Sequence, residues 1–216
     1  MSGFYIDVSA LQSMKHAMVA TESQMIAAFN KALRQTVNQL YKASVGTMLK
    51  TTGAKNRKLV QGRLRKAVNK VSAAGKNAGT GRIWMGLDDM PVSALRGRAK
   101  APRGIRPQDR KRDVLGRFLP AKGGHDATFT PAAAGLHTTT FTNSFLATVK
   151  GKRSIWIRNG KGHIHEARMA VHKQMNDAIE KTVFANSAEL LMANFEKDLA
   201  GRVLGNVHLN SRGKRA

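Results

Sequence analysis

An apolar stripe near the start of this chain constrains its fold more than any other feature. Met25, Phe29, Leu33, Val37, Leu40, Tyr41, Val45 and Met48 recur at three- and four-residue spacing. That spacing gathers them on one side of an α-helix. Thr21 and Gln24 stand at its start with capping-box spacing, so a hydroxyl and an amide can satisfy early backbone groups. Thr51, Thr52 and Gly53 end it. The expected helix therefore runs from Thr21 to about Lys50. A helix with one long apolar side needs a partner surface, which the rest of the chain must supply. Before it, Phe4 to Met18 suits a strand or a short helix equally.

A second helix is expected over Lys55 to Ser72, with Val60, Leu64, Val68 and Val71 as its buried stripe. Gly75 to Gly81 reads as a flexible turn. Arg82 to Leu87 alternates like a strand, with Ile83, Met85 and Leu87 on one side and Trp84 on the other. Asp88 to Pro91 turns the chain. From Arg96 to Pro131 no period is visible, and Pro102, Pro107, Pro120 and Pro131 interrupt. Such a stretch predicts an inserted arm rather than core. Strand character returns at Leu136 to Phe141, where Thr-rich alternation sits on the pleat. Phe145 to Val149 and Ser154 to Arg158 predict a hairpin turned by Lys150-Gly151-Lys152.

The last third predicts a helix over about His172 to Leu204. Its stripe is Ile179, Val183, Phe184, Ala188, Leu191, Phe195, Leu199 and Val203; Asn186 with Glu189 offers a cap that would split it in two. The fold class expected is α+β: a small antiparallel sheet packed by an N-terminal helix pair and a long C-terminal helix. The organisation expected is an N-terminal arm over 1–20 and a domain over 21–204. That domain carries an inserted basic loop at 96–131, and a flexible basic tail follows over 205–216.

Charge adds a second constraint. Lys and Arg number 37 against 13 acids, a formal net charge of +24, and the pI is about 11.3. No acid lies between Glu22 and Asp88, and Arg96 to Lys122 contains only Asp109 and Asp113. Glu166 to Asp198 is nearly balanced. A basic face or arm meeting a polyanion or an acidic protein neighbour is the implication. The candidate contacts are Arg57, Lys58, Arg63, Arg65 and Lys66 in the second helix. In the arm they are Arg96, Arg98, Lys100, Arg103, Arg106, Arg110, Lys111, Arg112 and Arg117. Neutralising six to ten phosphates would make affinity fall about 10³–10⁵-fold between 50 and 200 mM salt. Aromatic side chains are only 6% of the chain and Phe118 is alone in the arm, so the sequence gives little support to single-strand stacking. No zinc-finger or RNA-recognition signature is present.

Catalytic constellations are missing from the sequence. The absence of cysteine excludes disulfides, thiolate zinc sites and a cysteine nucleophile. Gly75 to Gly81 lacks the Gly-Lys-Ser/Thr ending of a phosphate loop. Asp88 and Asp89 are adjacent, so on a strand they would point to opposite faces. Serines 44, 93, 144, 154 and 187 lie in no nucleophile-elbow context. His163 and His165 would share a strand face, as two metal ligands can, and Glu166 follows. No third ligand has diagnostic spacing, and position 169 is Met169 rather than histidine. Surface histidines at the end of a hairpin are the plainer reading. Met14, Met18, Met25 and Met48 read as core filler. No enzyme activity and no cofactor are expected. No apolar run approaches the ~18 residues of a membrane span. Met1 to Ala20, broken by Asp7, Lys15 and His16, lacks a signal peptide's apolar centre.

The order of several short motifs carries a family resemblance. Asn56-Arg-Lys-Leu-Val60 followed by Arg63-Leu-Arg-Lys-Ala67 resembles the second-helix signature of the prophage minor tail protein Z family. The strand Arg82-Ile-Trp-Met-Gly-Leu87 and the step Asp89-Met-Pro-Val92 follow in the same order. So do the hairpin Asn143-Ser-Phe-Leu-Ala147 with Ile155-Trp-Ile-Arg158-Asn-Gly160, and a long C-terminal helix. The similarity spans roughly Thr21 to Val203. His163-Ile-His-Glu166 departs from it, standing where the family usually has a proline-containing strand.

Membership in this group of phage tail-completion proteins would imply a structural role. It implies a virion subunit, made in the host cytoplasm, that forms a ring (a hexamer) at the head-proximal end of the tail. Such a ring finishes the tail and helps join it to the head. The neighbours implied are tail-terminator or tail-tube proteins and head-completion proteins, with double-stranded DNA crossing the lumen and no membrane involved. The alternative expectation, from charge alone, is a free nucleic-acid-binding protein without sequence preference.

Overall fold

Thr21 and Gln24 form the expected capping box. The Thr21 amide donates to Gln24 Oε1 at 3.0 Å, and the Gln24 amide donates to Thr21 Oγ1 at 3.3 Å. The helix they start, α1, covers Glu22–Thr52. In the computed structural model the described residues are 13, 14, 16–71, 79–102, 111–117, 126–161 and 163–205. After α1 come α2 (Arg57–Gln61), β1 (Leu64–Asn69), β2 (Thr80–Met85) and β3 (Met90–Pro91). A 3-10 turn (Val92–Ala94) leads to β4 (Gly97–Lys100), β5 (Ala127–Pro131) and β6 (Thr139–Phe141). Then follow β7 (Ser144–Val149), β8 (Lys152–Arg158), β9 (Ile164–Glu166) and β10 (Arg168–Met169). Helix α3 (His172–Ile179), a π-helical turn (Glu180–Phe184) and α4 (Ser187–Leu204) finish the order. The protein is thus α+β, with small antiparallel sheets and a long C-terminal helix.

The expected domain over 21–204 divides into two compact units. One draws on residues 1–49, 57–87 and 175–216, the other on 50–56 and 88–174. In the first unit, Ala28, Phe29, Ala32 and Leu33 of α1 pack with Leu191, Phe195 and Leu199 of α4. Phe29 and Phe195 meet edge to face at 6.1 Å. Polar groups lock the same seam: Asn194 Nδ2 donates to Thr36 Oγ1 and to Gln39 Oε1, both at 2.9 Å. Asp198 pairs with Lys31 and, at 2.7 Å, with Arg202. The predicted stripe of α1 is largely core, with Phe29, Leu33, Val37, Leu40, Val45 and Met48 all buried.

The second helix is where expectation and structure part. Its helical portion is only Arg57–Gln61; Leu64–Asn69 is a strand paired antiparallel with β2, Leu64 opposite Met85 and Asn69 opposite Thr80. Leu64 and Val68, four apart, share a face under either period, so their spacing could not separate helix from strand. The partner strand decides it. The inner side of the hairpin lies on α1, and Gly81 makes this possible. A Cβ there would stand 2.4 Å from Val37 Cγ2. Asn30 completes the attachment like a strand partner: Nδ2 donates to the Val71 carbonyl at 3.0 Å, and the Val71 amide donates to Oδ1 at 2.8 Å.

The C-terminal helix is also modified. Buried positions recur every four residues, at Met175, Ile179, Val183, Ser187, Leu191, Phe195 and Leu199. A 3.6-residue period drifts against that repeat, and the wider π turn at Glu180–Phe184 takes up part of the drift. Ser187 therefore occupies the buried place expected of Ala188, which is exposed. The chain does split here. The new helix does start after Asn186, which leaves helical geometry at φ −111°, but its side chain makes no capping bond, and the π turn precedes the break.

In the second unit β4, β5 and β6 form one antiparallel sheet and β7, β8 and β9 another; β3 pairs with β10. The expected structureless arm at 96–131 is thereby corrected at both ends, since β4 pairs with β5 from Gly97 opposite Pro131 to Lys100 opposite Thr128. The strand expected at Leu136 to Phe141 is shorter, Thr139–Phe141, with Leu136 buried ahead of it. The predicted β7–β8 hairpin is present, and Lys150 and Gly151 turn it at φ 49° and 76°. Phe4 to Leu11, the arm residues 103–110 and 118–125, and the tail 206–216 lie outside the described residues.

Candidate nucleic-acid interface

The sheet β4–β5–β6 has one apolar and one polar side. Ala127 and Phe129 point inward and are fully or nearly fully buried. Gly97 lets β4 approach them, because a Cβ there would meet Phe129 Cζ and the Thr130 carbonyl at 2.5 Å. Ser144 ties the sheet to β7, accepting from the Ala127 amide at 2.8 Å and donating to the Phe141 carbonyl at 2.6 Å. The alternate residues face outward. Arg98 pairs with Thr130, Lys100 with Thr128, and Thr128 with Thr140. Thr128 and Thr140 hydroxyls lie 3.0 Å apart, and Thr138 donates to Thr130 at 3.5 Å. Two cations beside a row of hydroxyls can hold phosphate and sugar oxygens, and such contacts carry no base specificity.

The remaining arm candidates fall differently. Arg96 is exposed, and its main chain is fixed by the Gly53 carbonyl at 2.8 Å and the Ala132 amide at 2.9 Å. Arg103, Arg106 and Arg110 lie outside the described residues. Lys111, Arg112 and Arg117 are exposed around a turn built by Asp113. Asp113 Oδ1 accepts from the amides of Leu115 at 3.0 Å and Arg117 at 2.7 Å. Arg112 donates to the Gly116 carbonyl at 3.0 Å. Val114 and Leu115 are held out into solvent at the tip.

In the first unit, Arg57 and Lys58 are exposed on α2. The Gly86 amide donates to the Arg63 carbonyl at 2.7 Å, continuing the hairpin ladder, and the Arg63 side chain donates to the Gly86 carbonyl at 3.4 Å. Arg65 stands on the outer face of the hairpin. Lys66 does not: it turns to α1, bonding Asn38 Oδ1 and lying 5.0 Å above the Tyr41 ring. Lys66 therefore serves packing, and strand alternation is the reason.

Glu166 is a carboxylate bonded at both oxygens. Oε1 accepts from the Ser93 amide at 3.1 Å and Ser154 Oγ at 2.8 Å, and Oε2 from Lys152 Nζ at 2.5 Å. Burial pushes this carboxyl up, but the bonds from Lys152, Ser93 and Ser154 outweigh it and hold it below its ordinary value. An anion so fully engaged is a clamp between β8, β9 and the 3-10 turn. His163 and His165 are exposed beside it. The Asn159 side chain bonds the His163 amide at 2.9 Å, which shapes a turn. Among the described residues no three His, Asp or Glu side chains gather as a metal site would need, and no described helix is long and apolar enough to cross a membrane.

The Thr-rich alternation near Phe141 was legible in the sequence, but not its union with Thr128 and Thr130 in one row, nor the outward face that Arg65 shares with Trp84 and Arg82. The signal for the first was present in the alternation of Thr128, Thr130, Thr138 and Thr140. The second required knowing that residues 64–69 form a strand. In comparison with known proteins, no protein-family model, curated protein or solved structure matches this chain.

Proposed function

We propose that this protein is a non-enzymatic structural subunit of a bacteriophage tail. It acts as a tail-completion protein, similar to the minor tail protein Z family, that assembles into a ring at the head-proximal end. The ring finishes the tail, contributes to joining it to the head, and surrounds the DNA passage. Its neighbours in this reading are tail-terminator or tail-tube proteins on one side and head-completion proteins on the other.

The supporting observation is the charge polarity of the first unit. Its segments 23–49 and 57–87 carry eleven Lys and Arg and no acid, whereas 175–204 carries five acids and three bases. Head-to-tail association of identical copies can set one segment against the other, and a rotation that closes gives a ring. The motif order from Arg82 to Val203 supplies the choice among ring-forming assemblies; the Asn56 to Ala67 motif adds less, because Leu64–Asn69 is a strand and not helix. Electron microscopy of particles made without this protein tests the reading: unjoined heads and unfinished tails are expected. Normal, joined, infectious particles would overturn it.

A second reading, a free nucleic-acid-binding protein without sequence preference, draws on the Arg98, Lys100 and threonine face. Salt-sensitive DNA binding with no association to virion parts would favour it over the ring.

A further inference from the structure

We propose that the outer face of the β1–β2 hairpin is a stacking platform for unpaired bases of a single-stranded nucleic acid. Trp84 carries the inference. It is 46% exposed, although an indole is normally drawn toward the core. The register sets Arg65 directly opposite it, and Arg82, also exposed, precedes it by two residues on the same face. The Cβ atoms of Arg65 and Trp84 are therefore about 5 Å apart across the ladder, and Arg82 stands about 7 Å from Trp84 along the strand, backbone to backbone. Ala67, opposite Arg82, leaves the space between them low.

The platform is fastened from behind. Asn30 binds the Val71 main chain in both directions, Gly81 seats β2 against Val37, and Lys66 is committed to Asn38 and Tyr41. An exposed indole sharing one strand face with two arginines matches a base and its flanking phosphates. Charge decides the occupant: no acid occurs between Glu22 and Asp88, so the face is complementary to a polyanion. The indole decides the strand state, because a duplex hides its base faces inside the stack, whereas a single strand can offer them.

This is a property of one copy and does not depend on the ring. The test uses the full chain with a labelled oligothymidylate and a duplex of equal length, read by anisotropy across a salt series. Trp84→Ala is expected to weaken single-strand binding about 5- to 150-fold, with Trp84→Phe retaining most of the affinity. The double variant Arg65→Ala with Arg82→Ala is expected to reduce the salt slope by about 1.4, two phosphates at 0.7 each. Unchanged oligonucleotide binding by Trp84→Ala, with its circular dichroism intact, would overturn the proposal. So would equal binding of the duplex with the same dependence on Trp84. Loss of self-association in sedimentation with oligonucleotide binding preserved would replace it with a protein contact.

Discussion

Lys150 and Gly151 close the β7–β8 hairpin at φ 49° and 76°, whereas the β1–β2 hairpin is fastened to α1 by Asn30 and Gly81. In the first case the stabilising groups are close in sequence. Phe145 and Trp156 stand directly opposite, Trp156 Nε1 donates to the Ala147 carbonyl at 3.1 Å, and Arg158 lies 5.5 Å from the Phe145 ring centre. In the second case they come from a helix some forty residues earlier, as |i−j| = 41 for the Asn30–Val71 bonds shows. One hairpin is specified by its own turn and cross-strand pairs, the other by the surface it lands on. An isolated two-stranded ribbon is marginal in water, so the second kind depends on its support.

The sharpest way to break this comparison is to remove the support. Gly81→Val places side-chain atoms where Val37 already stands and is expected to cost about 3 kcal/mol or more. Urea denaturation measures the loss. Hydrogen exchange should show β1–β2 amides opening while β7–β8 stays protected; equal opening of both hairpins would erase the distinction.

Glu166 tests whether the local hairpin also leans on tertiary structure, since its carboxylate joins Lys152 and Ser154 of β8 to Ser93. Glu166→Ala leaves these donors without their acceptor and is expected to cost about 2 kcal/mol. The pH dependence has a definite sign. A carboxyl held below its ordinary value of 4.5 contributes its stability above that pH. The contribution is lost as pH falls through the lowered folded value. Glu166→Gln should remove that part of the acid sensitivity, measured as the difference in urea midpoint between neutral and acidic buffer.

A smaller effect is expected from Asn30→Ala, which withdraws both bonds to Val71 and should cost about 1–2 kcal/mol. Its signature is faster exchange at the Val71 end of β1 with α1 unchanged. The smallest effect should be a gain. Lys150 holds a positive φ without being glycine or asparagine, and Asn-Gly is the preferred pair for a type I′ turn. Lys150→Asn is therefore expected to stabilise by up to about 1 kcal/mol, visible as a raised melting temperature with no change at β1–β2.

The same contrast explains what could be read in advance. The capping box at Thr21 and Gln24, the α1 stripe, the β2 alternation and the β7–β8 turn are all local signals, and each appears in the structure, although the strand expected over Arg82 to Leu87 runs Thr80–Met85 and leaves Leu87 outside it. Leu64 and Val68 were legible as inward-facing but not as strand residues, because a four-residue separation satisfies both periods. The site follows the same rule. Arg98 and Lys100 were visible as basic residues, but their placement beside the threonine row depends on a pairing between residues about thirty apart. Lys66 looked like its neighbours Arg63 and Arg65, and only strand alternation turned it toward Tyr41. Glu166 drew attention as a neighbour of two histidines, while its partners Ser93 and Lys152 came from other elements.

By itself the sequence determined the composition of the parts: a long amphipathic helix, a tight-turned hairpin, a cysteine-free chain of charge +24 and an acid-free stretch from Glu22 to Asp88. These follow from short-range periodicity and from counting. Tertiary structure alone decided that residues 64–69 extend, that a π turn shifts Ser187 into the core, and that Arg65 joins Arg82 and Trp84 on one open face. The physical reason is that backbone groups of a marginal segment take the hydrogen-bond partners that packing offers. Those partners lie far away in the chain, where local spacing carries no record of them.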